Sequence, residues 1–142
     1  MSHIKISEFK KCFATLLLGG HDLPKKQKNL HILLISSILN LESNRQYAEN
    51  ELNNELQKWT NCFGNDFGLD HVTLRRYLVD AHYLKRDPAG EYYELQTTDL
   101  PYTFDPEIQE LNLEELVREE KKVRELKKQQ YMQKTGKYDI IN

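Results

Sequence analysis

A chain of 142 residues, 39% hydrophobic and 30% charged, fits one globular domain plus an extension and excludes a fibrous or disordered class. Its formal charge of −2 is unevenly spread: residues 1–98 hold 12 bases and 12 acids, 99–117 six acids and no base, 118–137 eight bases and three acids. The neutral body removes the broad basic field that usually supports nucleic-acid binding, without excluding such binding.

The amino-terminal residues His3, Lys5, Glu8, Lys10 and Lys11 lack the apolar centre of a secretory signal. Phe9, Phe13, Leu16 and Leu17 recur at helical spacing, with Cys12 on the same face, and predict a first helix from about Ser7 to Leu18. Ser7 offers an N-cap hydroxyl, and Gly19-Gly20 a terminator. No lysine and hydroxyl follow those glycines at P-loop spacing, so they do not mark a phosphate loop.

Asp22-Leu23-Pro24 opens a second predicted helix, from about Pro24 to Leu39, with Leu30, Leu33, Leu34, Ile38 and Leu41 as a broad apolar face. Its run from Ile32 to Ile35 is the longest apolar stretch of the chain, far short of the roughly 20 residues of a membrane span. No membrane is therefore expected as a partner, and the location expected is cytoplasmic. Lys25, Lys26 and Lys28 crowd the first turn, at the positive end of the helix dipole. That suits either solvated lysines or an anionic contact. A polar link, Glu42 to Gln46, leads to a third helix from about Ala48 to Trp59, with Leu52, Leu56 and Trp59 on one face. Residues 60–69 have the composition of a turn anchored by Phe63, Phe67 and Leu69.

Asp70 N-caps a fourth helix to about Ala81, whose core stripe is Leu74, Tyr77, Leu78 and Ala81. Tyr83 to Leu95 then predict a hairpin about Asp87-Pro88-Ala89-Gly90, which has aspartate, proline and glycine where a type I turn favours them. Three helices followed by a hairpin is the order of a winged helix. In the tail, Asp105-Pro106 starts a turn and Asn112 with Glu115 makes a capping-box-like start. A helix from about Leu113 to Met132 carries Leu113, Leu116, Val117, Val123 and Leu126, enough to lie along a neighbour. The fold class expected is mainly α (α+β): a winged-helix-like helical domain over residues 1–98 ending in a β-hairpin wing, and a charged helical extension over 99–142.

The run over residues 70–95 resembles a bacterial family known as domain of unknown function 2087. The shared pattern is Asp70, Leu74-Arg75-Arg76, Tyr77-Leu78-Val79, Leu84 to Arg86, the turn Asp87 to Gly90, and Tyr92-Tyr93. Leu23-Pro24 with the basic run after it, and Tyr47 ahead of Glu51-Leu52-Asn53, are also similar, so the likeness spans about residues 9 to 95. It implies a small stand-alone protein, or a module of the kind joined to DNA-binding helix–turn–helix domains of transcriptional regulators, with no catalytic or cofactor role.

Cys12 and Cys62 stand far apart without a CxxC, and His3, His21, His31, His71 and His82 are scattered without HExxH or triad order. No catalytic residue, metal site or cofactor is expected, and the chain is not read as an enzyme. The candidate nucleic-acid residues are Arg75 and Arg76 on the helix before the wing, Lys85 and Arg86 on the wing, and Lys25, Lys26 and Lys28. With Leu74 as the core direction, Arg76 sits about 200° round and Arg75 about 100°. Arg76 therefore projects outward and Arg75 lies at a boundary, where Asp70 and Asp80 are available as salt-bridge partners. Val72 and Val79 fall beside Arg76. That partly apolar face looks less like a DNA reader than like a surface covered by the C-terminal helix or a partner chain. The element order and the resemblance still favour double-stranded DNA as partner, the alternative being a protein partner or self-association through the C-terminal helix.

Overall fold

The computed structural model describes residues 2–19 and 22–134. In chain order the elements are β1 (Ser2–Ile4), α1 (Ile6–Gly19), α2 (Gln27–Ser37), β2 (Tyr47–Ala48), α3 (Glu49–Cys62), α4 (His71–Asp80), β3 (Leu84–Arg86), β4 (Tyr92–Leu95), β5 (Tyr102–Phe104) and α5 (Leu113–Lys134), with 3-10 turns at Gly64–Phe67 and Pro106–Glu110. The class is mainly α with a small antiparallel sheet of order β2–β4–β3, in which Tyr47 faces Tyr93 and Leu84 faces Leu95. No helix among the described residues is long and apolar enough to cross a membrane.

Helix α2 is the centre of the core. Every residue from His31 to Ile38 is buried, so beyond its first turn the helix presents no solvent face and has little amphipathic pattern. Around it pack Phe9 and Phe13 of α1, Leu52, Leu56 and Trp59 of α3, and Leu74 and Leu78 of α4. The buried hydroxyls are satisfied locally: Ser36 and Ser37 donate to the carbonyls of Leu33 and Leu34, and the Trp59 indole donates to Ser36 at 2.9 Å.

Several helix ends differ from the sequence expectation, and at α1 a distant residue is the reason. Helix α1 starts at Ile6 rather than Ser7, because the Asp105 carboxylate accepts from the Ile6 amide at 2.7 Å. It ends at Gly19; the second glycine of the expected terminator, Gly20, and also His21, lie outside the described residues. Helix α2 starts three residues later than expected, at Gln27, leaving Pro24, Lys25 and Lys26 in the preceding loop. Helix α3 runs on to Cys62, and the expected turn shrinks to Phe63 and the 3-10 segment. Asp70 does cap α4, accepting from the Thr73 amide at 2.7 Å.

The short strands went unpredicted apart from the wing. β2 is two residues long, and β1 pairs in parallel with β5 across the length of the chain, Ile4 opposite Phe104. Ile108, ten residues beyond the expected boundary at 98, is fully buried. Helix α5 buries no residue completely, but Leu113, Leu116 and Val117 pack against the core, and Arg124 donates to Thr15 of α1 at 2.8 Å.

Candidate nucleic-acid interface

A groove lies between helix α4 and the β3–β4 hairpin, which the sequence reading expects as a wing. Both are positioned by hydrogen bonds the sequence encodes locally. Asp87 closes the wing: its carboxylate accepts from the Tyr92 amide at 2.7 Å, and its carbonyl from the Gly90 amide at 2.9 Å. The Tyr92 amide above all, helped by the Glu91 and Ala89 amides, holds the Asp87 carboxyl below its ordinary range; the Thr73 amide does the same for Asp70. Gly90 has φ +75, and a Cβ there would run into the Arg86 guanidinium folded back over the turn.

The groove holds about 250 Å³ and is lined by Val72, Arg75, Arg76, Val79, Asp80, Arg86 and Tyr93. Three arginines from two elements converge there, but they are not equivalent. Arg75 is a clamp: it donates to the Asn53 side-chain oxygen at 2.6 Å, pairs with Glu49 at 3.2 Å, and lies 5.5 Å from the centre of the Tyr93 ring. Its side chain is only 17% exposed. The partners are on α3 and β4; neither Asp70 nor Asp80, the carboxylates expected from sequence, holds it in an ion pair. Arg76 is exposed, and among the described residues it enters no ion pair. Arg86 is exposed too, with its guanidinium 5.9 Å from the centre of the same ring.

The remaining candidates are dispersed. Lys85 alternates to the other face of the wing, opposite Glu94 in the strand register, where it lines a separate depression of about 210 Å³ with Gln46, Pro88 and Tyr92. Lys25 and Lys26 are exposed in the loop before α2. Lys28, the one lysine of the three inside the first turn, is paired with Glu8 of α1 at 2.6 Å, and that hydrogen bond raises its pKa. None of the three lines the α4–wing groove. Of the tyrosine pair, Tyr93 is buried beneath the arginines and Tyr92 is 43% exposed.

Sequence reasoning missed Tyr93 as a platform and missed Glu49 and Asn53 as the partners of Arg75. The last two stand at i and i+4, one face of α3, a spacing that marks an acceptor pair once an arginine is known to pack across it.

A larger depression of about 450 Å³ lies between the ends of α2 and α3 and the start of α5. Its thiol, Cys62, faces Glu114 at 3.6 Å; burial and then that carboxylate push its pKa up, which opposes the thiolate a nucleophile needs. Among the described residues no three His, Cys, Asp or Glu side chains gather as a metal site.

Residues 21–95 match the model of a family described as an uncharacterized protein conserved in bacteria (DUF2087). The matched span runs from the loop before α2 through β4, so α1 falls outside it although the resemblance was expected from about residue 9. No curated protein and no solved structure matches the chain.

Proposed function

The chain belongs to the bacterial family DUF2087, and from that premise and the α4–wing groove we propose that it is a winged-helix nucleic-acid-binding protein, associated with transcription, that acts by binding and not by catalysis. The observation that carries this is the convergence of Arg76, from α4, and Arg86, from the wing, on one groove with neither engaged in an ion pair among the described residues. The element order α2–β2–α3–α4–β3–β4, with β2 added beside β4, supports it, since a helix followed by a hairpin is the order in which a winged helix offers its recognition helix to a major groove. Arg75 then serves from behind, holding α4 against α3 and the sheet. Arg76 reaches base edges or phosphate, and Arg86 the adjoining backbone.

The test is fluorescence anisotropy with mixed double-stranded DNA across a salt series, for wild type and Arg76→Ala/Arg86→Ala. Affinity should fall steeply with salt, and the variant should lose about one unit of slope for each guanidinium that sits on a phosphate. No binding even at low salt sinks the proposal. An unchanged slope in the variant moves the contact elsewhere.

A second reading rests on Val72, 40% exposed, and half-buried Val79 beside Arg76. Apolar area there suits a protein partner with no direct DNA contact. A protein that ignores DNA but loses a bound partner on Val72→Glu would favour it.

A further inference from the structure

Helix α5 spends only one edge on the body. Leu113, Leu116 and Val117 pack inward and Arg124 reaches Thr15, while every residue from Lys121 to Tyr131 is exposed. Taking Leu113 as the inward direction, Val123 and Leu126 lie roughly 80° and 140° round the helix. They are 41% and 56% exposed, large apolar side chains on a helix that is otherwise strongly polar.

Charge along the same helix is separated. Residues 113–120 carry Glu114, Glu115, Glu119 and Glu120 against Arg118 alone. Residues 121–134 carry Lys121, Lys122, Arg124, Lys127, Lys128 and Lys134 against Glu125 alone. Upstream, Asp99, Asp105, Glu107 and Glu110 extend the acidic end with no base among them. A helix dipole favours acids in the first turn and bases in the last, and its effect dies within those turns. It does not account for bases that begin at the middle of the helix.

A second copy of α5 does. Laid parallel, two such helices set acid against acid and base against base. Laid antiparallel, each acidic start meets the basic half of its partner, and Val123, next to the midpoint of 113–134, lies near the two-fold axis. We propose that two copies of this chain associate through an antiparallel pairing of α5, with Val123 and Leu126 buried at its centre and opposite charges matched at both ends.

Sedimentation equilibrium on the full chain, at low and high salt, tests this. Wild type should dimerise, and more weakly at high salt. Val123→Lys/Leu126→Lys should weaken the dimer by about tenfold or more while leaving the helical circular dichroism unchanged, because both side chains are exposed in the single copy. Orientation is read from a spin label at Glu115→Cys on a Cys12→Ser/Cys62→Ser background. Antiparallel pairing about the centre separates the two labels by about 20 Å or more along the axis, from the rise per residue, whereas parallel pairing brings them to about 10 Å. A monomer at all concentrations, a dimer indifferent to the double substitution, or the short label distance overturns the proposal. Should the protein stay monomeric while reversal of Lys121, Lys122, Lys127 and Lys128 to glutamate abolishes DNA binding, the basic half belongs to nucleic acid instead.

Discussion

Arg75 and Arg76 follow one another on α4 about 100° apart, and that angle separates a clamp from an exposed side chain. Arg75 is desolvated against Glu49, Asn53 and the Tyr93 ring, so its removal leaves those polar groups short of a partner; Arg76 is exposed at the groove and enters no ion pair among the described residues. The helical period alone distinguishes the two directions. The partners of Arg75 belong to other elements, at Glu49, Asn53 and Tyr93, and no local rule names them. His31 makes the same point from the core. It is buried, joined to the Tyr83 hydroxyl at 2.6 Å and packed 4.8 Å from the Tyr102 ring centre. Burial holds its pKa below the ordinary 6.5. Between 6.5 and that lower folded value the unfolded chain carries a proton that the folded chain refuses, so stability is full above 6.5 and is lost as pH falls through this window. The melting temperature should drop on acidification from about pH 7.5 to 5.5, and His31→Gln should flatten that drop. An equal drop in the variant would move the cause to another group.

At the scale of elements, the parts with short-range causes were legible. The Asp70 cap, the Leu74/Leu78 stripe of α4 and the turn at Asp87–Gly90 are each set by residues within a few positions of one another. The wing depends on the left-handed backbone of Gly90, which an L side chain occupies at a cost of roughly 1–2 kcal/mol. Gly90→Ala should therefore destabilise by about 1 kcal/mol in urea denaturation and displace the Arg86 guanidinium, with a loss of DNA affinity out of proportion to the stability change. Unaltered affinity would show that the folded-back pose of Arg86 does not matter to binding. The two-residue β2 was not legible, since a strand that short has no period; it exists because β4 offers an edge.

Over the whole molecule, charge and composition drew a boundary near residue 98, and the chain beyond it returns to the body well before α5 begins. β5 pairs with β1, Asp105 takes the first amide of α1, and Ile108 enters the core. A fully buried isoleucine costs about 2–5 kcal/mol when cut to alanine, whereas a residue of a dispensable extension costs under about 1. Ile108→Ala should fall in the first range, comparable to Leu74→Ala, and a midpoint shift of the second size would mark residues 99–112 as separable. What the sequence by itself determined is the helical class, the fourth helix with its cap, the wing turn and the outward direction of Arg76, because all of these follow from periodicity and from side chains acting on their own backbone. Only the tertiary structure decided that Arg75 is a strut, that Lys28 is spent on Glu8, and that the start of the chain is sealed by residues a hundred positions on. Those outcomes depend on which distant surfaces meet, and burial and pairing across such a distance leave no mark at any spacing the local chain repeats.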